Sequence, residues 1–572
     1  MAQSNMAGSN SRRTIAITDS VESQSRRIAR IWSTAAVLLF VGLALTVGIP
    51  HGPALEDWER WAHFGTILLL IVATAIAWKW EGWGGSIMLI GSVALGVLAA
   101  LQHQPLVAFL PAAAFLIPAI AFLIAWHRTR TRASVVVLAT VVIMILFTGS
   151  VLAQEFYDRG FGPTHPSSGL PAPPDTPVMW MWSGGVTDTS AIVVARISGQ
   201  DDVELLLDDP GGAAVPFPGS QIRDVWRFEL SDLDPGTTYR YYLTMGATEV
   251  PERTGTFTTR TSGPTSFRVA IASCARLGSN GTVFETILGT DPDLFISSGD
   301  LFYADHAEHA GHYTDAYSET LTQPAQAALY AEVPIAYVWD DHDFGGNDSD
   351  STAPTKQLAI DAYLTNVPHY PLPGGDSVNQ AFSIGRVQFV LLDARSQRNP
   401  KTDTDGPDKT MLGPAQLEWL EERLLDPEYA LTVIVSSVPW IAVPEDGADH
   451  WAGYSHERRI IADFIADHDL DNIVMVTGDA HLVGADDGTN TDYSASGNAA
   501  FPLLHAAALD RPGSVKGGPF SEGMVPGGGQ FGLIDVTDDG SSEINVHFTG
   551  MNWLGEALIE YSFNIQTAEA TP

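Results

Sequence analysis

Four separate apolar runs in the second half of the chain end in side chains that bind metals. That recurrence restricts the fold more than any other feature. Pro334-Ile335-Ala336-Tyr337-Val338-Trp339 leads into Asp340-Asp341-His342-Asp343. The run 293–298 leads into Gly299-Asp300-Leu301-Phe302-Tyr303, and the run 472–477 into Gly478-Asp479-Ala480-His481. The run 267–273 leads into Cys274, the only cysteine. Short apolar runs of this kind read as buried strands, and in α/β sheets the carboxyl ends of strands are where sites are built. Three carboxylates at one strand tip repel one another unless a divalent or trivalent cation joins them. One such tip would equally suit an acidic surface loop. Four do not.

At 572 residues the chain is long enough for several domains. Five apolar runs nearly free of charge precede residue 160: Ile31–Ile49, His63–Trp78, Ser86–Leu101, Pro105–Trp126 and Ser134–Ala153. Most approach the roughly 20 residues that cross a bilayer, and the shorter ones can borrow flanking Trp and Gly; a signal peptide would explain only the first. The expectation is a cytoplasmic tail over 1–30 and a five-helix transmembrane region over 31–153, with lipid as a partner. Arg26, Arg27, Arg30, Lys79, Arg128, Arg130 and Arg132 all fall in tail or loops on one side. The positive-inside rule then makes the N-terminus cytoplasmic. Everything after Ala153 is expected outside a multi-pass cell-membrane protein.

The formal net charge is −37, and nearly all of the acidity follows residue 160. Such a surface excludes nucleic acid as a partner, since that needs a basic footprint. A single cysteine allows no intramolecular disulfide, and no disulfide-linked partner is expected. It also favours Cys274 as a ligated or buried thiol.

Residues 154–176 are rich in Pro, Gly and Ser and read as a linker. Residues 177–260 alternate in short strands separated by turns, which predicts a β-sandwich. Within them, Leu233-x-Pro235-Gly236-Thr237-Thr238-Tyr239 resembles the tyrosine-corner segment of fibronectin type III domains, and Gly255-Thr256-Phe257-Thr258-Thr259 their last strand. From 265 onward strands alternate with helical stretches; Pro414–Leu424 has apolar residues at helical spacing behind an initial proline. The expected fold class is therefore multidomain. An α-helical transmembrane bundle is followed by a β-sandwich and then by a layered α/β fold of two packed mixed sheets flanked by helices.

Ser273-Cys274, Gly299-Asp300-x-x-Tyr303, Trp339-Asp340-Asp341-His342-Asp343-Phe344, Leu392-Asp393-x-Arg395 and Gly478-Asp479-x-His481 occur in this order. As a set they resemble the alkaline phosphatase D (PhoD-like) family of calcineurin-like metallophosphoesterases, over residues 265–572. The resemblance implies a metal-dependent phosphoric ester hydrolase, an alkaline phosphatase or phosphodiesterase, with a dinuclear centre and a phosphate ester substrate. Asp300 is the best bridging carboxylate, because Gly299 permits a tight turn before it. Cys274, Asp300, Tyr303 and His481 would suit iron, Fe3+. Asp300, Asp341 and Asp479, with Asp340 beside them, offer oxygen to a harder ion. The resemblance implies Ca2+ there, with Zn2+ or Mn2+ as alternatives. Ser436-Ser437 stands where relatives often supply a metal-binding His.

His342 is expected as the leaving-group acid, its tautomer held by Asp343 or Asp340. Arg395 is expected either as a phosphate clamp or in a structural salt bridge with Asp393. Asn347 is a weaker substrate contact, and His306, Glu308, His309 and His312 read as a solvated loop over the site. A rival reading makes the chain a transporter or sensor whose phosphatase-like domain only binds ligand. Against it, the apolar runs hold no interior Asp, Glu, Lys or Arg.

Overall fold

The computed structural model describes residues 26–38, 57–100, 105–127, 176–199, 203–208, 214–246, 248–305, 309–511 and 514–566. It divides into two units, Met1–Tyr157 and Asp158–Pro572.

The described part of the first unit is helical: α1 (residues 26–38), α2 (Asp57–Lys79), α3 (Glu81–Ala100) and α4 (Pro105–His127). Leu70, Ala73 and Ala77 of α2, Met88 and Leu95 of α3, and Phe115, Ala119 and Phe122 of α4 share one buried cluster. This corrects the expectation of a transmembrane bundle. Among the described residues, no helix is long and apolar enough to cross a membrane. The runs are apolar and nearly free of charge, but small and polar residues dilute that apolarity within the helices and charges stand at their ends. α3 carries Gly82, Gly84, Gly85, Ser86, Gly91, Ser92 and Gly96, while α2 opens with Asp57, Glu59 and Arg60 and closes on Lys79. The lipid partner and the outward orientation rested on counting five crossings and lose that support. Most of the run Ile31–Ile49, all of Ser134–Ala153, tail residues 1–25 and linker residues 154–175 lie outside the described residues.

In the second unit the first seven strands are β1 (Val178–Gly184), β2 (Ala191–Ile197), β3 (Val203–Asp208), β4 (Ala214–Ile222), β5 (Val225–Leu230), β6 (Thr238–Met245) and β7 (Thr248–Thr258). They pair antiparallel in the order β1-β2-β5-β4-β3-β6-β7. Period-two alternation drives the layering. Val203, Leu205 and Leu207 of β3 and Tyr239 and Tyr241 of β6 turn into one core with Phe228 and Phe257, while Glu204 and Arg240 stay exposed. The Tyr239 hydroxyl accepts a hydrogen bond from the Asp234 backbone N–H at 2.8 Å, which pins the preceding turn.

Thirteen further strands follow: β8 (Phe267–Ala272), β9 (Leu294–Ser297), β10 (Ile335–Tyr337), β11 (Gln380–Ile384), β12 (Val387–Leu392), β13 (Leu431–Ser436), β14 (Ile473–Thr477), β15 (Leu482–Asp486), β16 (Leu503–Ala506), β17 (Gly523–Pro526), β18 (Gln530–Thr537), β19 (Glu543–Asn552) and β20 (Ala557–Gln566). One sheet runs β20-β19-β18-β8-β9-β10 and continues through β1 into the strands already described. The link is a parallel pairing of Gly184 with Ile335. A Cβ on Gly184 would lie 2.3 Å from the Pro368 carbonyl oxygen and 2.6 Å from that of Ile335, so only glycine allows this approach. The second sheet is β11-β12-β13-β14-β16-β15-β17.

Between the sheets Ile271, Phe295, Ile296 and Phe548 of the first share a core with Phe389, Val435, Val476 and Leu504 of the second. Trp180 and Trp182 of β1 belong to that same core. Trp182 meets Tyr330 edge-on at 5.7 Å and donates to the Asn366 carbonyl at 2.9 Å. The packing leaves the carboxyl ends of β8, β9, β10, β13 and β14 facing one another. A Cβ on Gly478, after β14, would sit 2.8 Å from Ser298 Oγ and 2.9 Å from Ser273 Oγ of the opposite sheet.

Candidate active site

Cys274, Asp300 and Asp479 stand just past β8, β9 and β14, and all three have positive φ, at 63°, 51° and 67°. Non-glycine residues in this region cost free energy and cluster at functional sites. Their glycine neighbours explain the motif. A Cβ on Gly299 would fall 2.5 Å from Asp340 Cβ, so glycine is what lets the β9 and β10 tips close up. Asp300 Oδ1 accepts from the His342 backbone N–H at 3.2 Å, and Asp300 Oδ2 lies 3.5 Å from Cys274 Sγ.

The Asp340–Asp343 cluster divides its oxygens between two tasks. Asp340 and Asp343 form a capping box on the short helix Asp341–Phe344, with the Asp340 N–H donating to Asp343 Oδ1 at 2.7 Å. Asp343 Oδ2 accepts from the Tyr337 hydroxyl at 2.5 Å and the Leu301 N–H at 2.9 Å. Burial pushes the Asp343 carboxyl up to about 7 against these donors. Asp343 thus serves the backbone. The group on His342 Nδ1 is Asp305, 37 residues upstream, in a short hydrogen bond. Asp340 Oδ1 takes Arg395 Nε at 2.7 Å and Ser437 Oγ at 2.8 Å, and Asp341 Oδ2 takes the Asp348 N–H at 2.7 Å.

Asp340 Oδ2, Asp341 Oδ1 and Asp479 Oδ2 remain buried with no hydrogen-bond partner among the described residues. Burial, followed by the charges of Asp341, Asp340, Asp343 and Asp479, pushes the Asp300 carboxyl well above the usual range. Burial does the same to Asp340 against Arg395, and to the Cys274 thiol together with Asp300 and Asp479. Buried carboxylates with orphaned oxygens and a buried thiol beside them are a donor set made for cations. Ligand atoms of Asp300, Asp341 and His342 lie within 4.8 Å of one another, as do those of Asp341, Asp348 and Asp449. The residues therefore fit a metal centre.

Arg395 is fully buried and its donors are engaged. Nε binds Asp340, the terminal nitrogens bind Asp449 at 3.1 and 3.0 Å, and one also reaches the Ser349 carbonyl at 3.3 Å. Asp393 instead accepts from Trp339 Nε1 at 2.8 Å and from the Arg395 backbone N–H at 3.0 Å. Burial alone would raise Asp449, but Arg395 and Arg398 hold it below the ordinary carboxylate range. Lys516 binds Asp479 Oδ1 at 2.6 Å. Tyr303 stacks on the His342 ring at 3.8 Å. His481 is held through its backbone by Ser514, its N–H donating at 2.8 Å. Asn347 is exposed. The rings of His309 and His312 lie 3.7 Å apart, while His306 and Glu308 are outside the described residues. Sequence reasoning did not find Asp305, Asp348, Asp449 or Lys516. Ser437 carried a signal, as the residue standing where a His is usual.

These environments predict how the metal-free protein responds to pH. The Asp300, Asp340 and Asp343 pKa values are raised. Their contribution to stability is complete below the ordinary carboxylate range and is lost as pH rises through their folded values. Burial holds His450 and His505 down at about 4, so their contribution is complete above 6.5 and is lost as pH falls towards 4. Just above pH 6.5 the carboxylates change the balance. Chelated protein should therefore lose Tm as pH rises from 6.5 through the Asp343 value of about 7, and metal-loaded protein should not. Parallel Tm curves for the two forms would count against the cation-binding reading.

Buried acids, a thiol and an imidazole thus meet at the converging carboxyl ends of two mixed sheets. Residues 269–511 match the family model described as PhoD-like phosphatase. Residues 13–134 match a second family model, DUF7670, a domain of unknown function. Alkaline phosphatase D of Bacillus subtilis (strain 168) is 24% identical over 306 residues, covering 44% of this chain and 52% of that protein. The chain thus spans about half the length of this curated relative. The solved structure titled "Structure of PhoD" superposes with a TM-score of 0.56 at 18% identity, covering 70% of this chain and 92% of that one. That similarity concerns the fold.

Proposed function

We propose that the second unit hydrolyses phosphate esters, monoesters or diesters, at a dinuclear metal centre. The observation that carries this is the set of buried, unpartnered oxygens on Asp340, Asp341 and Asp479 around Asp300. Cys274, Asp300, Tyr303 and His481 would hold one ion; Asp300, Asp340, Asp341 and Asp479, flanked by Asp348 and Asp449, would hold the other. The mixed thiolate, phenolate and imidazole donors suit Fe3+ and the oxygen donors Ca2+, with Zn2+ or Mn2+ as alternatives. When bound, such ions neutralise phosphoryl charge and make water nucleophilic near neutral pH. The remaining chemistry belongs to the chain. Asp305 accepts from His342 Nδ1–H and orients the ring, which as the imidazolium gives its Nε2 proton to the departing oxygen. Tyr303 holds the ring by stacking, and the His342 backbone N–H orients Asp300. Arg395 positions Asp340 rather than touching substrate. We read β1–β7 as a fibronectin type III-like support for this domain.

The test is metal analysis of the purified full chain alongside turnover of p-nitrophenyl phosphate and bis(p-nitrophenyl) phosphate. Bound metal with hydrolysis of either supports the reading. Ligand binding without turnover would favour the sensor-like alternative, and absence of both metal and hydrolysis would sink the proposal.

A further inference from the structure

The chain has 67 acidic residues against 30 Lys and Arg, and the cations near the site are already paired. Arg395 serves Asp340 and Asp449, Arg398 serves Asp449, and Lys516 serves Asp479. Arg511 stands apart. Its guanidinium lies over the Tyr303 ring, 4.1 Å from the centroid, and the other neighbour of that ring is His342. Its Nε is buried with no hydrogen-bond partner among the described residues. The adjacent carboxylate, Asp510, feels the Arg511 charge but forms no ion pair with it. Asp510 Oδ1 accepts from the Arg276 N–H at 2.5 Å, and Oδ2 lies 3.8 Å from Arg276 Nε. Among the described residues no carboxylate forms an ion pair with Arg511.

A cation–π contact holds a guanidinium in place without using any of its N–H donors. The donors of Arg511 are therefore kept for something else, one aromatic ring away from the proposed leaving-group acid. A partly desolvated cation without an ion-pair partner is costly unless an anion arrives to meet it. In a chain of this net charge an anionic substrate is repelled at long range, so an unpaired positive charge at the site acts where attraction is needed. A guanidinium also matches two phosphoryl oxygens at once.

We propose that Arg511 binds the non-bridging oxygens of the substrate's phosphoryl group, the task its engaged donors deny to Arg395. This rests on the phosphate-ester reading above. The ligand class is a tetrahedral oxyanion, met as the ester in the substrate and as inorganic phosphate in the product. Its position against Tyr303 couples that contact to the ring that orients His342.

The experiment compares full-length wild type with Arg511→Gln and Arg511→Lys, recording metal content and Tm for each. KM and kcat are measured with p-nitrophenyl phosphate, and inorganic phosphate is titrated both as a competitive inhibitor and directly by calorimetry. Arg511→Gln should raise KM and the phosphate Ki together by about 10- to 100-fold, with metal content and Tm held. Arg511→Lys should recover part of the loss, because it keeps the charge without the fork. If the Gln variant does not fold, the Lys variant decides, and an intermediate phosphate Ki supports the assignment. Unchanged KM and Ki in a wild type that hydrolyses esters would overturn this assignment and leave the function standing. Loss of metal with unchanged phosphate affinity would also overturn it, making Arg511 a support for Tyr303. A wild type that neither hydrolyses esters nor binds phosphate removes both readings.

Discussion

Asp300→Asn should leave the protein without bound metal and without turnover. Asp300 is the one carboxylate in contact with both halves of the site: Cys274 Sγ on one side and the His342 backbone on the other. Four more acids act on its charge. Asparagine keeps the shape and tolerates the positive φ that alanine would resist, so the change removes charge and little else. In metal-free protein the substitution should preserve or raise Tm as pH rises, because it removes a buried carboxyl whose ionised form burial and the neighbouring acids disfavour. That opposite sign separates a ligand from a structural residue. Near-normal metal content with near-normal turnover would remove Asp300 from the centre of the site.

His342→Ala should behave differently, losing roughly 10²–10⁴ in rate, the range of a general acid, while metal content stays near wild type. An alkyl phosphate should suffer more than an aryl one, since the better leaving group needs less protonation. Asp305→Asn should give a smaller loss in the same direction, through the tautomer it fixes. A His342→Ala protein stripped of metal would instead make the imidazole a ligand, as its proximity to Asp300 and Asp341 allows.

The strand tips were legible because each is local: an apolar run, a glycine and an acid within a few residues. β9, β10 and β14 begin and end inside the runs that announced them, and the helix Pro414–Leu424 was readable from its N1 proline and its spacing. What the sequence hid is partnership. Four ionisable residues in a row looked like one ligand cluster, yet Asp343 and one oxygen of Asp340 are engaged in a capping box and an ion pair. Asp305 and Asp449 meet the site only through folding, and nothing in their neighbourhoods announces it. Arg395 sits in a motif that suggests a phosphate ligand, and its burial against two carboxylates was not visible from the residues around it. The transmembrane reading failed for a related reason. Absence of charge over many residues does not say what covers them.

The single parallel contact between Gly184 and Ile335 has a consequence for how such a chain can be inherited. A recombination event that cut near residue 262 and grafted the part after it elsewhere would leave β10 as a bare edge, open to pairing with other chains. It would also strip Trp180 and Trp182 from the core they share with Tyr330 and Phe295. The first strand of the sandwich is in effect a lodger in its neighbour's house. Any transfer that keeps the two-sheet core has to keep the Met179-Trp180-Met181-Trp182 strand along with it, whatever becomes of β2–β7.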